Sequence, residues 1–206
     1  MRAEAKKDID RLLRQGLLWR GAASVQARGS VVSSGLAQLD EAMGGGWPRG
    51  SLTEILSDGP GLSLLLRALA KLSRGERWLA WVNAPWLPYA PALSARGVDV
   101  SRVLLIRGRD DAQALWAAEQ ALRSGNCAAV MLWPQGISIA RARRLRLAAE
   151  EGDCLGLLFR PSGAAAQSSM AALRLEVKAH EVGLEVKVLK RPAGWGGRRL
   201  VLPCNG

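Results

Sequence analysis

The chain has 206 residues, 29 of them Lys or Arg against 18 Asp or Glu, for a formal charge of +11, and 49% are hydrophobic. That apolar share and length exclude a mainly disordered chain and suit one compact domain with a small appendage. One His and one Tyr leave little for chemistry built on a histidine base or a histidine metal site.

No apolar run reaches the roughly 18–20 residues that a membrane span needs, because Arg67 breaks the best stretch, Leu62 to Leu72. The first residues alternate charge with apolar side chains and lack the apolar heart of a secretion signal. Cys127, Cys154 and Cys204 are an odd number without metal-ligand spacing, so neither a disulfide framework nor a metal site is expected. A cytoplasmic protein is predicted. All but six of the basic residues are arginine, which fits a polyanionic partner such as DNA and equally fits a GC-rich genome.

In chain order, Ile9, Leu12, Leu13 and Leu17 recur at helical spacing, predicting an amphipathic helix within residues 1–20, a candidate for self-association. Residues 21–30 read as a linker. From Ser34 strands and helices alternate. Leu36, Leu39 and Met43 mark a short helix stopped by Gly44-Gly45-Gly46, and Leu52–Leu56 reads as a strand. A turn at Ser57-Asp58-Gly59-Pro60-Gly61 leads into a helix over 62–73. Strands are predicted at 78–83, 103–107, 128–133 and 155–160. A helix is expected near 88–96, another N-capped by Asp110, and an arginine-rich one over 138–152. Residues 173–179 and 183–190 alternate apolar with charged side chains, as an edge hairpin does. Apolar strands separated by helices predict an α/β domain over 31–190. Its sheet would be mostly parallel, with helices on both faces and an antiparallel hairpin at the C-terminal edge. Residues 191–206 read as a basic, flexible tail.

In such a sheet the first strand-to-helix turn is the usual phosphate cradle. Here the context fits and the residues do not. No lysine follows Gly61 before Lys71, Pro60 removes an N–H, and Asp58 puts negative charge where phosphate would sit. The turn reads as a degenerate P-loop, with no cofactor, no metal and no catalytic residue; an ATPase would need Lys71 to reach the loop.

Binding candidates divide into three groups. Arg141, Arg143, Arg144 and Arg146 crowd one helix, as a phosphate- or partner-facing surface or as a solvated face. Lys187, Lys190, Arg191, Arg198 and Arg199 surround Trp195 among glycines, a pattern that serves single-stranded DNA by charge and stacking or forms an inert tail. Trp47 and Trp86, beside prolines in loops, are candidates for an exposed interface, whereas Trp78, Trp81, Trp116 and Trp133 read as core. His180 reads as a turn residue.

Two family resemblances overlay this reading. Ser33-Ser34-Gly35-Leu36 through Gly45-Gly46-Trp47-Pro48-Arg49-Gly50 to Ile55 is similar to the segment leading into the nucleotide loop of RecA-type recombinases. Ala114 to Gly125, Ala129 to Gln135, Trp86 to Pro91 and Leu189-Lys190-Arg191 resemble ImuA, the RecA-like accessory protein of SOS-induced mutagenesis. This resemblance implies a RecA-like core in which Pro85 and Trp133 stand where RecA has its catalytic Glu and Walker-B Asp. It implies a non-catalytic scaffold in translesion synthesis, with RecA, an ImuB-type inactive polymerase and a DnaE-type polymerase as partners and nucleoid association after DNA damage. The second resemblance is to SulA, the SOS inhibitor of cell division that binds FtsZ. It rests on Ala121 to Asn126, Ala148 to Gly152, Gly156 to Pro161 and Leu173 to Leu175. The front segment, which has no placed counterpart in SulA, favours ImuA as the main expectation and leaves SulA as the alternative.

Overall fold

A computed structural model describes residues 30–192, 194 and 196–203. The predicted helix within 1–20 and the linker up to residue 29 lie outside the described residues. Val31–Val32 (β1) pairs antiparallel with Trp47–Pro48 (β2), and this ribbon holds Ala37–Met43 (α1) between its strands. The carboxylate of Asp40 accepts from the Ser33 hydroxyl and the Ser34 N–H, and Gly44 closes the helix at φ +91°. That left-handed φ is one glycine adopts without penalty.

Ser51–Leu56 (β3) is followed by a 3₁₀ helix, Pro60–Leu65, and by Leu66–Ser73 (α2). Trp78–Val82 (β4), Ala90–Ala95 (α3) and Val103–Ile106 (β5) come next. Asp111–Arg123 (α4), Cys127–Leu132 (β6), Ile139–Glu151 (α5) and Leu155–Arg160 (β7) complete the alternation. Asp110 accepts from the Gln113 N–H and caps α4 as predicted, and Ser138 does the same for α5 through the Arg141 N–H. Leu173–His180 (β8), Gly183–Lys190 (β9) and Arg199–Pro203 (β10) close the described chain.

The large sheet runs β10-β9-β8-β3-β7-β6-β4-β5. Strands β3 to β8 pair parallel with their neighbours, while β9 pairs antiparallel with β8 and β10 antiparallel with β9. Side chains alternate between two apolar layers. Ala129 and Met131 of β6 face the layer of α1, α2 and α3, and Val130 and Leu132 face that of α4 and α5. β6 and β7 are buried along their whole length, which is why they read as unbroken apolar runs.

Three expectations need correction. The sheet is mixed, with two antiparallel ribbons, and is not the RecA-like nucleotide core predicted. The turn after β3 tightens into a 3₁₀ helix with Pro60 at its start instead of opening an α-helix around a phosphate. Residues 191–206 are not simply a flexible tail, because Arg199–Pro203 add a strand to the β9 edge. That strand is held by an ion pair from Arg199 to Glu185 at 3.0 Å.

Both described cysteines are buried and unbonded. Burial, with the neighbouring Cys127 adding to it, pushes the Cys154 thiol up to about 12, so the reactive thiolate is scarce at neutral pH. In a Cys204→Ser background the native protein at pH 8 is therefore expected to react with an aromatic disulfide reagent only as fast as it opens. A rapid stoichiometric burst before denaturation, read by absorbance, would contradict this.

Candidate functional site

The carboxyl ends of β3, β4, β6 and β7 converge on one groove, of about 420 Å³. Its floor is aromatic. The rings of Trp133 and Phe159 stack with centroids 4.5 Å apart and planes 6° from parallel, and Trp81 leans on Trp133 at 5.9 Å. Such stacks hold their members in fixed geometry. Trp133 therefore occupies with an apolar ring the place where the ImuA resemblance expected only the loss of an acid.

The turn Ser57-Asp58-Gly59-Pro60-Gly61 forms one wall, and its polar groups are turned inward. The Asp58 carboxylate accepts from both the N–H and the hydroxyl of Ser162, and these bonds, the hydroxyl first, favour its charged form and hold its pKa below the ordinary carboxylate range. The Gly59 N–H donates to the Ser57 hydroxyl oxygen, and the Ser57 N–H to the Arg160 carbonyl. A side chain on Gly61 would sit 2.9 Å from the Ile55 Cγ2, so this glycine serves packing. The turn staples β3 to the loop after β7. Lys71 lies in the last turn of α2, at the far end of that helix from the turn.

The opposite wall is apolar and exposed. Asn83, at the end of β4, adopts φ +49°, a left-handed conformation that asparagine tolerates better than most residues. Its Oδ1 accepts from the Gly108 N–H at 2.8 Å. The chain then leaves the sheet as Ala84-Pro85-Trp86-Leu87-Pro88-Tyr89. Trp86, Leu87 and Tyr89 are 74%, 72% and 71% exposed, a contiguous apolar patch of the kind that marks interaction surfaces. Leu87 and Tyr89 were missed as site residues. Large apolar residues between two prolines, with no periodicity to bury them, were the available signal.

Beneath the groove sits a buried charge cluster. Glu54 of β3 is 1% exposed and pairs with Arg160 of β7 at 3.3 Å and Arg174 of β8 at 2.8 Å. Register places Glu54 directly opposite Arg174. The remaining guanidinium donors go to Gln167 Oε1 and to the carbonyls of Ala164 and Ala165. The cluster fixes the loop after β7 against the strand that carries the turn.

The other predicted site residues scatter. Trp47, expected at the surface, is a residue of β2 whose side chain is fully buried in the core. Trp86 is exposed as expected, whereas Trp116 and Trp78, expected in the core, are 60% and 40% exposed. Arg144 pairs with Glu119 at 2.9 Å and Arg146 with Glu150 at 3.2 Å, while Arg141 and Arg143 point to solvent. Arg198 is tied to Glu41 at 2.8 Å, Lys190 donates to the Ser169 carbonyl, Lys187 lies half-buried within β9, and Arg191 is half-buried just after it. Trp195 lies outside the described residues. The basic residues do not gather into one stripe. Among the described residues no helix is long and apolar enough to cross a membrane.

Comparison with known proteins bears on this arrangement. The family model described as "Cell division inhibitor SulA" matches residues 50–156, which carry the turn, the Trp86 loop and the strand ending at Trp133. A protein named cell division inhibitor SulA from Edwardsiella piscicida is 42% identical over 103 residues, covering 50% of this chain and 61% of that protein. One of the same name from Yersinia pestis is 33% identical over 98 residues, covering 48% and 58%. The chain thus spans about three fifths of the length of these curated relatives. A crystal structure of SulA from Pseudomonas aeruginosa is similar at TM-score 0.46 and 33% identity, covering 53% of this chain and 97% of that one. These findings overturn the ImuA expectation. The family model and the curated relatives remove its support for a translesion scaffold and for RecA, ImuB-type and DnaE-type partners. The chain belongs to the SulA family.

Proposed function

We propose that this chain is an SOS-induced inhibitor of cell division that acts in the cytoplasm by binding FtsZ, without chemistry of its own. The observation that carries this reading is the family match across residues 50–156, the segment that builds most of the groove and its exposed wall. The local chemistry favours binding over catalysis. The groove floor is a stack of aromatic rings, the Ser57 and Asp58 side chains of the turn are spent on structural bonds, and the arginine on its rim, Arg160, is committed to Glu54. Trp86, Leu87 and Tyr89 supply an exposed apolar surface of the type that dominates protein–protein affinity.

The test is direct. Purified full chain is mixed with FtsZ and GTP, and polymer is measured by sedimentation. Stoichiometric addition is expected to leave FtsZ in the supernatant, and expression in dividing bacteria is expected to give filamentous cells. FtsZ that assembles unchanged in excess of this chain rules the proposal out.

A further inference from the structure

Helices α4 and α5 lie side by side on the sheet face opposite α1, and between them runs a second, smaller cleft of about 130 Å³. Its floor is apolar, formed by Ala112 and Leu115 of α4 and Leu145 of α5. It shares no residue with the aromatic groove. Trp116 stands on its rim, 60% exposed in the middle of a helix whose neighbouring turns are core.

The rim is basic and partly built. Glu119, 7% exposed, accepts from Arg144 and from Arg123, so the Arg144 guanidinium is held against the cleft by a carboxylate from inside. Arg141, also on the rim, is exposed and makes no ion pair among the described residues, and the Arg144 side chain stays 66% exposed beyond its bond to Glu119. A solvated pair of helices would not place an exposed tryptophan of one beside exposed arginines of the other over an apolar floor.

We propose that the α4–α5 cleft docks an acidic amphipathic helix of a partner protein, one apolar side chain entering between Leu115 and Leu145 and carboxylates meeting Arg141 and the exposed edge of Arg144. Charge selects this occupant. A second copy of the same surface would bring arginines against arginines in a chain of net charge +11. Residues 1–20 of this chain carry six basic side chains against three acidic ones and suit the site no better. Nucleic acid would satisfy the arginines but has no aliphatic anchor for the cleft floor. Peptide helices recognised this way present apolar anchors at helical spacing and charge on their flanks. The inference does not depend on FtsZ being the target.

The experiment uses the full chain and a fluorescein-labelled peptide with leucines at helical spacing and glutamate elsewhere, read by anisotropy. A lysine version of the peptide and a labelled single-stranded oligonucleotide are the comparisons. Saturable binding of the acidic peptide alone is expected. It should weaken about tenfold in Trp116→Ala and in Arg141→Glu, as loss of a central anchor or of the matching charge does. Trp86→Ala should leave it unchanged. All the substituted positions are exposed, and circular dichroism checks the fold; if one variant unfolds, the other still reads the site. Failure of the acidic peptide to bind, equal binding of the lysine peptide, or wild-type affinity in a folded variant overturns the proposal. So does binding of the oligonucleotide in place of the peptide.

Discussion

Glu54→Leu is expected to destabilise the protein by about 3–5 kcal/mol, the cost of leaving buried charge without its partner. In the native sheet one carboxylate, 1% exposed, holds two guanidinium groups that are themselves 7% and 8% exposed. Removing it strands both cations between β3, β7 and β8, where water does not reach. For a chain of this length the loss converts to a fall in Tm of roughly 10 °C. Replacing the whole cluster, Glu54→Leu with Arg160→Met and Arg174→Met, is expected to recover most of that stability. The triad then contributes specificity of strand placement more than net free energy. Thermal and denaturant unfolding of the two variants separates these terms. A single variant as stable as the parent would show that the ion pairs do not hold the sheet, and the assignment of Glu54 as the anchor of the β3–β8 junction would fall.

Much of the fold is visible in the sequence because its strands are buried on both faces. Cys127–Leu132 and Leu155–Arg160 carry almost nothing but apolar residues, and their helices are fenced by Asp110, Ser138 and Gly152. The misses have identifiable causes. β10 follows a glycine- and arginine-rich stretch, and its pairing depends on contacts with β9 and Glu185 that no local pattern announces. Trp47 sits beside Pro48 in what reads as a loop, yet it pairs with Val32 as half of the β1–β2 ribbon and turns its ring into the core. Trp116 was legible and misread: Leu115, Ala118 and Leu122 define the buried stripe of α4, and Trp116 lies about 100° off Leu115 on the helical wheel. The family was misjudged for a similar reason. Weight went to the segment before Ile55, while the matched residues, 50–156, hold two of the motifs that resemble SulA.

The sharpest functional contrast is expected at the groove wall. Trp86→Ala/Leu87→Ala should weaken binding to FtsZ by about 2–4 kcal/mol, the range of central hot-spot truncations, and abolish inhibition at stoichiometric concentration. Its folded stability should stay within about 0.5 kcal/mol of the parent, because both side chains are more than two thirds exposed and touch little of the core. Phe159→Ala makes the opposite trade. That ring is 7% exposed and stacks on Trp133, so its loss is expected to cost about 3–5 kcal/mol of stability. Measuring affinity by titration and stability by denaturation on both variants separates a surface that recognises from a floor that supports. If the double variant still sequesters FtsZ while Trp116→Ala does not, the α4–α5 cleft is the surface that FtsZ occupies. The groove would then be an aromatic core that happens to open to solvent. If both variants inhibit as the parent does, the recognition surface lies elsewhere on the chain, and neither apolar patch earns its exposure through FtsZ.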